Sequence, residues 1–294
     1  MRIIAREFEF NNLESEAAVK FQKSIVAQRE SNETNGFAPR LAVPVDDRSS
    51  DLSVRDDEGE QRSDLRKRTE SKFVMPGADI EKIRQILLNR SQRQIHSDTI
   101  STVRSLYFDD PRFSACYANL EGLDNRRKVR VRWYDSLLPQ HEFFFEVKWR
   151  ENKLTGKHRL RLHSERPLHE LSFREMQNQL MNILPSGFQT RFLRNIEPVS
   201  VVEYRREHFV TQDASLAAGV RLTLDYDLKF YDQTGRRSLR MDFARRLQDF
   251  VLIECKVPSG FAVRPESFFS PLTLRVESCS KYVLGCQTLE LVRN

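Results

Sequence analysis

Several features that mark common function classes are missing from this chain. No apolar run reaches the roughly 18 residues of a membrane-crossing helix. The N-terminus has no apolar secretory core. A cytoplasmic protein without an integral membrane segment is therefore expected. Cysteine is scarce: Cys116, Cys255, Cys279 and Cys286 are widely spaced, with no C-x-x-C. Four cysteines in 294 residues argue against a disulfide scaffold. The histidines (His96, His141, His158, His163, His169 and His208) lack H-E-x-x-H or zinc-finger spacing. The phosphate-cradling loop G-x-x-x-x-G-K-[ST] is absent, which excludes a P-loop enzyme. No Ser/His/Asp or Cys/His nucleophile arrangement stands out, and no solenoid repeat is present.

Charge, by contrast, is abundant and unevenly placed. Charged residues make up 31% of the chain, and the net charge is +6. Residues 1–65 carry 9 Lys/Arg against 14 Asp/Glu, whereas the remainder carries 39 against 28. The basic part points to a polyanionic partner: nucleic acid, anionic lipid, nucleotide or a phosphate chain. Residues 31–66 are polar and poor in aromatics, and read as a disordered linker. Before it, Leu13–Gln28 has the loose spacing of a short amphipathic helix or a frayed tail. The expected division is an acidic, largely disordered tail over 1–66 and a folded domain over 67–294.

The folded domain reads mainly as strands: Arg68–Met75, Ser101–Phe108, Arg127–Tyr134, Glu142–Trp149, His158–His163, Val199–Val210, Val220–Tyr226 and Phe250–Val257. Helices are expected after Asp79, over Phe173–Leu184, over Met241–Gln248 and near Ser280–Leu291. Many antiparallel strands with few helices predict an α+β protein built on a closed or nearly closed barrel.

Within the strands, one face repeatedly carries cations. Lys128, Arg130, Arg132 and Tyr134 share a face, opposite Val129, Val131 and Trp133. Glu146, Lys148 and Arg150 align, as do Lys157, Arg159 and Arg161, then Arg221, Thr223 and Asp225. Glu-x-Lys recurs at Glu70-Ser71-Lys72, Glu146-Val147-Lys148 and Glu254-Cys255-Lys256, so each triplet sets a carboxylate and an ammonium on one side of a strand. Two readings compete. The charged faces are solvated and laced with cross-strand ion pairs, or they line the lumen of an inside-out barrel. A charged lumen is costly unless it stays wet or holds a counter-charged ligand. A phosphate chain with a hard cation meets that demand, since arginine forks and lysines bind phosphate and carboxylates bind Mg²⁺ or Mn²⁺. Nucleic acid is the weaker candidate, because the cations lie in strands among aliphatics, without stacking platforms or a basic helix.

In order, Glu70-Ser71-Lys72, Ser105-Leu106-Tyr107-Phe108-Asp109, Lys128-Val129-Arg130-Val131-Arg132, Phe145-Glu146-Val147-Lys148, Tyr204-Arg205-Arg206, Val220-Arg221-Leu222-Thr223-Leu224-Asp225, Ile253-Glu254-Cys255-Lys256 and Ser280-Lys281-Tyr282 resemble the VTC domain. That domain is a branch of the CYTH/triphosphate tunnel metalloenzyme superfamily. The resemblance implies an antiparallel β-barrel tunnel with a charged lumen and peripheral helices. It implies a metal-dependent phosphotransferase of the polyphosphate polymerase type, acting on ATP and inorganic polyphosphate, with no nucleic acid partner. Triphosphate hydrolysis and polyphosphate binding without turnover are the other activities it leaves open. By resemblance, Lys72, Arg130, Arg132, Lys148, Arg206, Arg221, Lys256 and Lys281 are the phosphate and nucleotide set. Among these, Lys148, Arg130, Arg132, Arg206 and Lys256 serve the chemistry. Glu254 is the principal metal ligand for Mn²⁺ or Mg²⁺, with Glu70 and Glu146 as further ones. Either Lys157 or Arg159 matches another basic tunnel position. Asp225 either orients Arg221 or ligates a metal, the first being preferred; Tyr107 and Tyr204 are read as packing residues with hydrogen-bonded hydroxyls, and Trp133 and Trp149 as core.

Overall fold

Alternation of apolar and charged side chains builds one antiparallel sheet. In the computed structural model, residues 52–54, 68–96, 98–152, 154–184, 186–211, 219–258, 269 and 274–293 are described. The helix expected at Leu13–Gln28 and most of the acidic tail lie outside them. Among the described residues the sheet has eleven strands, numbered along the chain, in the order β1-β7-β6-β5-β4-β8-β9-β11-β2, with β10 on β9 and β3 on β8. Its long strands are β2 (Arg68–Pro76), β4 (Ser101–Asp109), β5 (Arg126–Tyr134), β6 (Glu142–Glu151), β7 (Leu154–Ser164), β8 (Glu197–Val210), β9 (Arg221–Asp232) and β11 (Phe250–Pro258). The short ones are β1 (Leu52–Val54), β3 (Gln92–Gln94) and β10 (Arg245–Leu247).

The apolar face is the outer one, and helices cover it. Helix α1 (Ile80–Leu88) starts where the Asp79 carboxylate accepts from the backbone N–H of Glu81 and Lys82. It buries Ile83 and Leu87 against Phe73, Leu222, Leu224 and Ile253. Helix α3 (Phe173–Ile183) opens on a Ser172/Glu175 capping box. Its Phe173, Met176 and Leu180 pack on Val131, Phe145 and Val147, joined by Phe192 of α4 (Ser186–Leu193). Trp133 is core, while Trp149 is half-buried at its margin.

Two further helices enter from the other side. Helix α2 (Ser114–Leu120) has no side-chain cap of its own at Phe113. Instead the buried Asp109 carboxylate accepts from the backbone N–H of Ala115 and Cys116, each at 2.9 Å. The hydroxyl of Tyr282, on α5 (Lys281–Thr288), donates to the same carboxylate at 2.7 Å. These helices bury Cys116, Tyr282, Val283 and Cys286 against Val103, Tyr107, Val202, Tyr204 and Phe230 of β4, β8 and β9. That cluster plugs part of the sheet's concave face.

The expected α+β fold of antiparallel strands with peripheral helices is present, and three details differ or are added. The barrel is not closed, since among the described residues β1 and β2 end the sheet. Residues 241–248 do not form a helix: Arg245–Leu247 pair with Leu228–Phe230 as a strand. The reason is that β11 covers β9 only over Arg221–Asp225, which leaves a free edge beyond it. Within the expected linker, Leu52–Val54 pair with Leu162–Ser164 as an edge strand.

Candidate functional site

Although open, the sheet curls until its ends face one another across a charged concavity. Glu70 of β2 lies in the field of Lys148 on β6, and Lys128 of β5 in that of Lys72 on β2. Lys148 also feels the charge of Glu254 on β11, so β6 and β11 turn these two side chains toward each other's neighbourhood. The two terminal Glu-x-Lys triplets meet as neighbours, because β2 and β11 run antiparallel with Lys72 opposite Glu254 and Glu70 opposite Lys256. Each carboxylate thus gains an ammonium both along and across its strand. Lys72 lies 3.5 Å from Glu70 and donates to the Cys279 carbonyl at 2.8 Å.

On this wall the Arg206 guanidinium grips Asp225 with two bonds of 2.6 Å and reaches Glu254 at 3.3 Å. Lys281, delivered by the first residue of α5, lies 2.6 Å from Asp225 and 3.3 Å from Glu254. Lys256 approaches Glu254 at 3.8 Å. Burial works to raise both acids, but Lys281 and Arg206 outweigh it and hold Asp225 below, and Glu254 well below, the usual carboxylate range. Burial alone would depress Lys281; Asp225 and Glu254 raise it instead. Asp225 therefore positions Arg206 and Lys281. Arg221 shares a face of β9 with Thr223 and Asp225, across from Lys256.

The facing wall is organised by Glu146, which is fully buried. Arg130 meets it at 2.5 Å, Lys157 at 2.8 Å, Arg159 at 3.4 Å and Arg132 at 3.7 Å. Arg130 also donates to the Tyr107 hydroxyl at 2.7 Å, and Arg132 to the Ser105 hydroxyl at 3.0 Å. The Tyr204 hydroxyl accepts from Arg132 at 3.5 Å. Burial would raise Glu146, yet Arg130, Arg132 and Lys157 keep it well below the usual range. The structure thus brings Glu70 and Glu254 together and sets Glu146 apart in a cage of cations. Among the described residues no group of three or more His, Cys, Asp or Glu could hold a metal ion.

Lys128 stands outside the residues picked from sequence. It faces Lys148, which faces Lys157, so three ammonium groups run side by side across β5, β6 and β7. Burial first, then Lys72 and Arg130, lowers Lys128 to about 7. Burial and then Arg130 bring Lys148 to about 7. Burial takes Lys157 to about 8 against the pull of Glu146. Its alternation with Arg130 and Arg132 was the available signal. Among the described residues of the concave face, Lys72, Lys128, Arg130, Arg132, Lys148, Lys157, Arg159, Arg206, Arg221, Lys256 and Lys281 outnumber Glu70, Glu146, Asp225 and Glu254, which leaves it short of negative charge. A polyanion with several phosphates would supply it.

No curated protein matches the sequence. A solved structure of a candidate adenylate cyclase from Vibrio parahaemolyticus is 11% identical, over 74% of this chain and 98% of that one, with a TM-score of 0.38. That likeness is too distant to bear on the chemistry. The family model described as the VTC domain matches residues 67–290, from the first long strand through α5. With that span matched, the chain belongs to the VTC domain family.

Proposed function

We propose that this domain transfers the γ-phosphate of ATP to the end of an inorganic polyphosphate chain. The observation that carries the reading is the pair of carboxylate-pinned cation clusters on facing walls, Arg206–Asp225–Lys281–Glu254 and Arg130–Glu146–Arg132–Lys157, with Lys128 and Lys148 beside them. Phosphoryl transfer needs positioning and charge neutralisation more than a protein nucleophile. Asp225 and Glu146 hold guanidinium forks in fixed directions, so little ordering entropy is lost when phosphate oxygens arrive. The attacking atom is a terminal phosphate oxygen of the acceptor; a bond forms from it to the γ-phosphorus while the β–γ bridging bond breaks and ADP leaves. Lys148 and Lys256, from opposite walls, neutralise charge on the transferring group.

The donor set fits a hard divalent cation. Glu70 and Glu254 lie diagonally across the β2–β11 ladder, near enough for Glu70 to feel the charge of Glu254, and Mg²⁺ is commonly held by one or two carboxylates plus substrate phosphates. When bound, Mg²⁺ or Mn²⁺ supplies neutralisation of phosphate oxygens next to the scissile bond. Glu146, on the facing wall with Arg130, Arg132 and Lys157 and, among the described residues, no second carboxylate beside it in its cluster, serves the arginines instead.

A second reading is triphosphate hydrolysis. It is favoured by the open seam, where the Lys157 and Arg159 side chains are each 40% exposed and water can reach the lumen. Incubation with ATP and Mn²⁺, followed by separation of ADP, phosphate and long chains, tests both. Chain growth supports transfer, and phosphate without chains supports hydrolysis. Neither product, with tight polyphosphate binding, refutes both and leaves a binding module.

A further inference from the structure

Along the inner face of β8, side chains step outward from the plug. Val202 and Tyr204 are buried against α5, Arg206 holds Asp225 and Glu254, and His208 comes next. His208 stands opposite Thr223 of β9 and Gln94 of β3, beside the layer where Arg221 faces Lys256. Its ring meets that of His96 edge-on, with centroids 4.7 Å apart and planes at 90°. His96 is exposed and lies just past the end of β3, so its ring remains open to a ligand while His208 is half-buried. Burial first, then the charge of Arg206, lowers His208 to about 4, so it is neutral at pH 7.

A nucleoside triphosphate with its phosphates on Arg206, Arg221 and Lys256 carries an uncharged aromatic base that needs a place. Inward, the space is taken by charges or by the plug; outward, the next rings are these imidazoles. Stacking on aromatic faces suits any base, because every base has a π-face. A neutral imidazole also offers one donor and one acceptor to a base edge. We propose that His208 and His96 form the platform for the base, and that this pair sets the preference for a nucleotide over an inorganic triphosphate. The inference rests on the triphosphate reading above and adds the specificity element to that site.

The test is calorimetric binding of ATP and of inorganic tripolyphosphate, each with Mg²⁺, to the full chain and to H96A, H208A and H208F. ATP binding should weaken about tenfold in H96A and H208A, in line with the loss of one stacking partner, while tripolyphosphate binding stays the same. H208F keeps a ring and should keep ATP affinity; its failure to do so overturns the stacking role. Equal weakening of both ligands, or of neither, overturns the inference. A wild-type chain that binds tripolyphosphate as tightly as ATP sinks the platform alone. A wild-type chain that binds neither sinks the triphosphate reading and the platform with it.

Discussion

Replacing Asp225 by Asn probes whether the inner network is held together as buried charge. Asp225 is fully buried, bonded twice to Arg206 at 2.6 Å and set 2.6 Å from Lys281. Asn keeps the shape and removes the charge. Arg206 and Lys281, only 12% and 9% exposed, are then left with Glu254 at 3.3 Å. Removing one partner of a buried ion pair costs about 3–5 kcal/mol. The remaining carboxylate places this case near the low end, at about 3 kcal/mol. Urea unfolding should show a lower midpoint at unchanged slope. The pH dependence has a definite sign. The folded-state pKa of Asp225 lies below its ordinary 3.8, so its contribution is complete above that value and is lost as pH falls through the lower one. The gap between wild type and variant should hold from neutral pH to near 4 and close only below. A gap under about 1 kcal/mol at neutral pH, the worth of an exposed pair, would show that these cations are wet and need no carboxylate.

Lys128 should make phosphate binding pH-dependent: its amine sits at about 7 when free, a bound phosphate raises it, and affinity should be greatest below pH 7 and fall as pH rises. Tripolyphosphate titrations at pH 8 in buffers of different ionisation enthalpy should report proton uptake, and the Lys128→Met variant should take up less. The Tyr282→Phe variant removes the 2.7 Å donor to buried Asp109 and should cost about 1–3 kcal/mol in chemical denaturation. At Gly156, opposite Trp149 in the β6–β7 ladder, an added Cβ collides with the indole ring; Gly156→Ala should destabilise by about 1–3 kcal/mol, read from the same unfolding curves.

Much of the fold was legible because its strands alternate cleanly, and the face that carries Val129, Val131 and Trp133 is the face under the helices. Alternation could not say whether the sheet closes, since closure depends on what the edges present to each other. Helix α2 escaped notice because its cap is Asp109, at the end of the preceding strand, whereas a capping residue is sought beside the first turn. The segment 241–248 misled because Met241, Ala244 and Leu247 fall at helical spacing. Met241 and Ala244 pack on one cluster and Leu247 on another, as a crossing loop and short strand do and one helical face does not.

The site was legible residue by residue but not in its partnerships. Spacing within a strand puts Glu146 beside Lys148, and it does the same for Glu70 with Lys72 and Glu254 with Lys256. Those triplets look alike in sequence, yet pairing separates them. Strand β2 lies against β11, so two triplets interlock and their carboxylates sit together among ammonium groups. Strand β6 lies between β5 and β7, so the third carboxylate is flanked by Arg130 on one side and Arg159 on the other. On the proposed function, the same local motif becomes a pair of hard oxygen donors in one place and an anchor for two arginines in the other. If that division is right, Glu146→Gln should destabilise the fold by about 3–5 kcal/mol through its stranded arginines. Glu70→Gln, at a site 34% exposed, should leave unfolding nearly unchanged and weaken Mn²⁺-dependent tripolyphosphate binding instead. The reverse pattern would move the metal to Glu146 and refute the assignment.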